Sequence, residues 1–285
     1  MLTALAPIVW GSTYLITTEM LPAGFPLTLA ALRALPAGLL LLIWLRKLPK
    51  GIWWLRVTIL GVLNFSLFWW LLFIAAYRLP GGVAATVGAV QPLIVLFLSY
   101  WLLKSQLAAL SIMASFAGIV GVAILLLTPN AALDATGIIA GLAGALSMAA
   151  GTVLSRRWQP PVSPLTFTAW QLTAGGVVLL PFALWLEPSL PALTMINIIG
   201  ISYLTLIGGA LTYALWFRGL ALLGPSSVAS LGFLSPVSAV ILGWIWLDQS
   251  LSLLQFCGMI VILVSVWTSQ QSEKRLAQRR LQQMC

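Results

Sequence analysis

About ten stretches of roughly 20 predominantly apolar residues make up nearly the whole chain, and the loops between them are very short. That pattern constrains the fold more than any other feature. A hydrocarbon core about 30 Å thick is crossed by a helix of roughly 20 residues. Backbone left unpaired inside it costs several kcal/mol per group, so each stretch is expected to be helical. The spans fall at approximately 2–19, 27–45, 54–76, 82–102, 108–127, 136–155, 164–186, 195–217, 226–246 and 251–269. Of the 285 residues 61% are hydrophobic and only 7% charged, with a mean hydropathy of +1.07, far from the averages of a soluble domain. The predicted fold class is an all-α membrane protein, and function has to sit inside the helix bundle.

The first stretch has no positively charged n-region and runs on through "WGSTYLITTEM", so it is expected to be a retained helix rather than a cleaved leader. The two cysteines, Cys257 and Cys285, offer neither a disulfide framework nor metal-ligand spacing. The net charge of +9 would suggest nucleic acid in a soluble protein, but the placement of the charges has another cause. With ten helices and a cytoplasmic N-terminus, twelve of the fourteen basic residues fall on the inner side, leaving only Arg33 and Arg78 towards the outside. This positive-inside bias predicts that both termini are cytoplasmic. Trp44, Trp53, Trp54, Trp158, Trp185 and Trp267 sit at span ends, where an amphipathic ring suits the headgroup layer. The segment 270–285 reads as a basic cytoplasmic tail drawn to anionic lipid.

The chain also repeats itself. At an offset of 144 residues, Leu71/Leu215, Phe73/Phe217, Ala85/Ala229, Gly88/Gly232 and Pro92/Pro236 coincide; at an offset of 138, "PLT" at Pro26 recurs at Pro164, with Ala31/Ala169 and Gly38/Gly176 in step. The expected halves are 1–127 and 136–269, each with five helices. Five is odd, so the second half enters the membrane with the opposite orientation. Inverted repeats are a signature of secondary transporters, which bind substrate near the midplane between halves that rock for alternating access. Pro92 and Pro236 are expected to bend spans four and nine near their middles, freeing carbonyls to line a central cavity.

The stretch "WGSTYLITTEMLP" followed by "PLTLAALRALPAGLLLL", and the block from "YALWFRGLALLGPSSVASLGFLSPVSAV" onward, resemble the ten-helix EamA-type exporters of the drug/metabolite transporter superfamily. The matching positions are Trp10, Gly11, Ser12, Arg33, Pro92 and Pro236; the second half replaces the WGS stretch by "SMAAGTVLS". The resemblance implies export of amino acids or related small metabolites across a bacterial inner membrane. It leaves the substrate open, since members of the family differ widely.

Polar and ring-bearing residues inside spans are costly in lipid unless they face protein or water. The substrate-binding candidates are Trp10, Ser12, Tyr14, Asn64, Trp69, Trp70, Tyr77, Gln91, Trp170, Gln171, Tyr213, Phe217 and Ser235. Together they supply the donors, acceptors and aromatic wall that an amino acid requires. Arg33 lies about six residues, roughly 9 Å, below the outer end of its span. It is either a snorkelling side chain or a gating group, with Glu19 its nearest candidate partner or a substrate carboxylate its target. Glu19, Asp134, Glu187 and Asp248 fall at span ends or in loops, and the chain has no histidine. A proton relay ordinarily needs an intramembrane acid or histidine, so facilitated export is expected over proton antiport. Proton-coupled efflux of cationic drugs or toxic analogues is the alternative, and it would depend on Glu19. A carrier of phosphorylated metabolites would need midplane basic residues beyond Arg33. No phosphate loop, dinucleotide fingerprint or nucleophile–base set is present, so neither an enzyme nor a cofactor is expected. Two halves in one chain make a complete pathway, so the expected assembly is a monomer in the lipid bilayer without nucleic acid.

Overall fold

In hydrocarbon a chain pairs its own backbone or pays for each open N–H and C=O, and the described residues answer with helices throughout. The computed structural model describes residues 2–22, 24–79, 87–106, 108–126, 134–246 and 252–284. The helices are α1 (Leu5–Met20), α2 (Pro26–Leu45), α3 (Trp53–Gly61), α4 (Leu67–Arg78), α5 (Gln91–Leu103), α6 (Ala109–Leu126) and α7 (Ala135–Arg157). They continue with α8 (Pro164–Leu186), α9 (Met195–Thr205), α10 (Thr212–Leu223), α11 (Pro225–Leu231), α12 (Leu234–Trp246) and α13 (Leu253–Met284). Eight stretches are long and apolar enough to cross a membrane; Leu2–Thr17 and Gln91–Leu103 are shorter apolar helices.

Two of the spans are joined by wide turns. α3 passes into α4 through a π-helical turn at Val62–Ser66, and α9 passes into α10 through a second at Leu206–Leu211. They begin 144 residues apart, the same offset that relates the proline pairs. In each turn a backbone N–H reaches back five residues, from Leu67 to the Val62 carbonyl and from Thr212 to the Ile207 carbonyl. Such turns leave a nearby carbonyl without its ordinary helical partner.

The proline-bearing spans differ from expectation. Pro92 is in the first turn of α5, after a turn at residues 89–90, and Pro236 is the third residue of α12, after a turn at 232–233. Neither sits inside a continuous helix. Each opens a helix that restarts after a break, where the missing N–H would have been unsatisfied in any case. Each break lies in the turn before its proline, the side on which a proline withdraws its N–H and crowds the carbonyl four residues back. A second difference concerns the C-terminus: α13 runs unbroken from Leu253 to Met284, so the basic segment continues the last helix instead of starting at residue 270.

Glycines set how closely the helices cross. A Cβ at Gly38 of α2 would collide with the backbone of Thr173 in α8, and one at Gly176 of α8 with Leu35 of α2. Gly38 and Gly176 are 138 residues apart, as are Leu35 and Thr173, so each half offers the same contact to the other. α6 and α13 meet in the same manner, with Gly118 against Ser265 and Gly121 against Ile262; Gly118 and Ile262 are 144 residues apart, as are Gly121 and Ser265. A methyl group added at Gly88, by contrast, would meet nothing within 4 Å, so this glycine is not a close-approach position. Trp44, Trp54, Trp185 and Trp267 project from the bundle surface, as headgroup anchors do. Trp53 and Trp158 instead hold the Arg56 guanidinium, 5.1 and 5.6 Å from their ring centroids.

Because the α2–α8 crossing has no room for a methyl group, Gly38→Ala is expected to destabilise the purified protein by about 1–3 kcal/mol through overpacking. Gly88→Ala should leave the thermal midpoint in detergent close to that of wild type. Equal midpoints for the two variants would remove the close crossing.

Candidate functional site

Asn64 falls midway along the span Trp53–Ala75, and Gly208 midway along Met195–Leu223. Both lie in the π-helical turns. The Gly208 carbonyl accepts three hydrogen bonds: from Arg33 Nη2 at 2.9 Å, Thr212 Oγ1 at 2.8 Å and Trp10 Nε1 at 3.2 Å. Trp10 Nε1 also donates to Thr212 Oγ1 at 2.9 Å. One released carbonyl thus ties α1, α2 and the α9–α10 junction together. The Arg33 guanidinium lies over the ring of Trp69, 4.9 Å from its centroid.

Around this point the rings form a continuous cluster. Tyr213 is 4.6 Å from Phe65, 4.8 Å from Trp10, 6.1 Å from Phe217 and 6.2 Å from Trp69, centroid to centroid. Trp216 packs against Trp10 at 5.0 Å and Phe167 against Phe217 at 5.5 Å. These are contact separations for aromatic pairs. The rings therefore pack against one another as one cluster drawn from α1, α4, α8 and α10.

A second polar group lies across the cluster. Asn64 and Gln171 are fully buried, and Asn64 Nδ2 donates to Gln171 Oε1 at 2.7 Å and to Ser155 Oγ at 3.3 Å. Asn64 Oδ1, Gln171 Nε2 and Thr152 Oγ1 are buried without partners. Gly151 gives Asn64 its space, since a Cβ there would overlap the amide. Gln171 stands 138 residues after Arg33, and Gly208 stands 144 after Asn64. Two positions 138 residues apart thus each send a polar side chain to a π-helical turn, Arg33 to Gly208 and Gln171 to Asn64.

The sequence profile of the EamA-like transporter family matches residues 1–127 and residues 135–269. This chain belongs to the EamA-like transporter family. Protein PecM of Dickeya dadantii is 44% identical over 259 residues, spanning 90% of this chain and 87% of that one. An uncharacterized inner membrane transporter of Escherichia coli K12, YedA, is 29% identical across 91% of this chain and 86% of its own length. The uncharacterized transporter sll0355 of Synechocystis is 29% identical across 98% and 92%. A solved crystal structure superposes with a TM-score of 0.82 over 94% of this chain and 96% of that one, at 18% identity, a likeness of fold alone. The protein is a multi-pass membrane transporter of the EamA type.

In this EamA-family chain the ring and amide clusters gather Trp10, Asn64, Trp69, Gln171, Tyr213 and Phe217 from the sequence candidates. Ser12 joins the edge, its Oγ 2.8 Å from the Tyr203 hydroxyl. Others lie elsewhere. Trp70 is 42% exposed on the outside of the bundle; Trp170 donates from Nε1 to the Lys47 carbonyl at 2.6 Å, at the end of α2 beyond Arg46. Gln91 begins α5 with a buried, unpartnered Nε2. Ser235 sits where α12 packs against Gly11 of α1. The side chains of Tyr14 and Tyr77 lie outside the described residues, as does Asp248.

Two expectations about Arg33 are corrected. It does not snorkel outward, because its guanidinium reaches a mid-span carbonyl, and it does not pair with Glu19, which is exposed on α1. Phe65, Tyr203, Thr212 and Trp216 join the site without being among the sequence candidates. The spacing of Phe65 to Trp69 and of Tyr213 to Phe217, four residues on one helical face, is the signal that carries the ring cluster in the sequence.

Truncating one partner of the buried amide pair leaves the other orphaned, so Gln171→Ala is expected to cost about 1–3 kcal/mol. The double variant N64L/Q171M should cost less than the sum of its single changes, with a coupling of about 0.5–3 kcal/mol. Melting of wild type, the two single variants and the double variant in one detergent measures it, and strict additivity would dissolve the pair.

Proposed function

We propose that this transporter exports amino acids and related small metabolites, aromatic ones among them, from the cytoplasm across a bacterial inner membrane. It works as two inverted five-helix halves, 1–127 and 136–269, with ten spans and both termini cytoplasmic. The observation that carries this reading is the mid-span juxtaposition of aromatic rings and polar side chains drawn from both halves, at the two π-helical turns. Rings provide the wall for an apolar or aromatic side chain, and the buried amides offer donors and acceptors to an amino acid's polar end.

Alternating access draws support from the reciprocal contacts. Gly38 with Thr173 and Gly176 with Leu35 form a near-symmetric pivot between the halves, and the breaks at 89–90 and 232–233 overlap at the offset of 144 that pairs 89 with 233. Rocking about such an interface opens one side as it closes the other. With the rings in mutual contact, substrate enters as they part. Two halves in one chain favour a monomer.

Acid placement supports facilitated export over proton antiport or cationic-drug efflux. Glu187 accepts hydrogen bonds from the Leu27 and Thr28 backbone N–H groups at 2.7 and 2.8 Å, closing the start of α2. Asp134 caps α7 through the Gly137 N–H, Ser111 donates to Glu273, and Glu19 is exposed. Among the described residues no carboxylate reaches the ring cluster, and a cation carrier or proton relay needs one there.

In proteoliposomes, labelled Trp, Phe, Thr and Met should enter saturably at rates that do not depend on an imposed pH gradient. Uptake that collapses without the gradient would overturn facilitated transport. Accumulation of a cationic dye with no uptake of any amino acid would overturn the substrate class.

A further inference from the structure

Arg33 is a charged group at the middle of a membrane protein, and its Nε has no hydrogen-bond partner among the described residues. A guanidinium carries five N–H donors. In Arg33 one is matched to the Gly208 carbonyl at 2.9 Å, while Nε is buried with no partner. The Trp69 face adds an attractive but non-directional contact. Among the described residues one ion pair occurs, Arg78 with Asp134 at 3.9 Å, well away from this site. A buried charge without a counter-ion is costly, and a protein that serves only to hold helices together would bond Gly208 equally well with a neutral donor, as Trp10 and Thr212 already do.

The surroundings define which anion fits. One arginine supplies one positive charge, and the other basic residues of the described chain lie at helix ends, in connections or exposed. A phosphate dianion would need more than one cation, whereas a carboxylate matches one guanidinium edge through two parallel hydrogen bonds. Trp69 lies against the guanidinium face, and Tyr213 and then Trp10 pack onward from it.

We propose that Arg33 is the carboxylate subsite of this transporter, and that a substrate carboxylate, in binding the open Nε edge, draws the guanidinium away from the Gly208 carbonyl. The inference rests on the transport reading above and narrows it to substrates that carry a carboxylate. It also assigns the Arg33–Gly208 bond a second use. In the absence of substrate, that bond fastens α2 of the first half to the π-helical turn of the second. A carboxylate that competes for the same donors loosens the fastening at the moment of binding, so occupancy and movement of the halves are linked through one side chain. Gln171, at the related position of the other half, is neutral and bonds Asn64, so the anion is received on one side only.

Three indole ligands separate the possibilities in the full-length protein in detergent: tryptophan, indole-3-propionate, which lacks the amine, and tryptamine, which lacks the carboxylate. Calorimetric titration should show tryptophan and indole-3-propionate binding at least tenfold more tightly than tryptamine. Arg33→Gln should lose at least tenfold affinity for both acids, and Arg33→Lys should recover part of it. Hydrogen exchange over residues 206–212 should accelerate when either acid is bound to wild type and stay unchanged in Arg33→Gln. Equal binding of tryptamine, or full binding of the acids by Arg33→Gln, overturns the subsite. So does the failure of every carboxylate in a wider panel containing benzoate and alanine, or a preference for glucose 6-phosphate over all of them. Unaltered exchange on binding overturns the link to Gly208. Since the ligand comparison uses wild type, a misfolded variant does not rescue the idea. If indole-3-propionate binds through Arg33 but proteoliposomes carry no amino acid, the transport reading falls while the subsite stands; if amino acids are carried equally by Arg33→Gln, the reverse holds.

Discussion

A backbone carbonyl released in the middle of a membrane must find a donor, and the Gly208 carbonyl organises the centre of this protein around that need. The π-helical turn at Leu206–Leu211 opens the helix ladder, and three donors from α1, α2 and α10 converge on the opening. With no water to satisfy the group, the neighbouring helices are obliged to supply the donors themselves. That requirement holds Trp10 against Tyr213 and Trp216 and brings the Arg33 charge to mid-span. The corresponding turn at Val62–Ser66 solves the same problem with different chemistry. There the Leu63 carbonyl accepts from Ser147 Oγ at 2.8 Å, and the Asn64 side chain engages Gln171. The two turns are thus alike in backbone and unlike in charge, which makes the centre polar on both sides and cationic on one.

Close packing is what lets these turns face each other. The α2–α8 crossing puts glycine against the opposing helix from both directions, and small residues let backbones approach where lipid offers no hydrophobic drive for association. Around the glycines the crossing is part of the main core, where Leu27, Ala30 and Ala34 of α2 share one cluster with Phe167, Leu172 and Leu179 of α8. The rings remain the bulky part of the interface, and they meet at ring-to-ring contacts that form and part as units.

Charges outside the centre are committed to helix ends. Glu187 and Asp134 occupy N-terminal N–H groups of α2 and α7, and Arg156 and Arg157 donate to carbonyls at the C-terminal ends of α10 and α5. Acids at helix starts and bases at helix ends complement the helix dipole and close backbone groups that the membrane interface would otherwise leave open. The same arrangement keeps these carboxylates away from the ring cluster. Arg33 differs from them, its guanidinium reaching a mid-span carbonyl.

The membrane class was legible in the sequence alone because it depends on local composition, and the offsets of 144 and 138 could be counted there. Hydrophobic length measures a bilayer, and an internal offset measures a repeat. Much of the site was also legible as a set of residue types, since rings and amides inside apolar spans are costly unless they face something polar or packed. What the chain order did not contain was direction. Whether Arg33 snorkels or turns inward depends on which carbonyl a neighbouring helix exposes, and that carbonyl is freed by a π-helical turn with no strong signature beyond Gly208–Gly209. Pro92 and Pro236 likewise read as mid-span kinks from spacing alone, while in the structure the helix is interrupted before each of them and restarts. Trp70 and Trp69 are neighbours in sequence and opposites in space, because a helix turns about 100° per residue and only the packed bundle decides which face is inside.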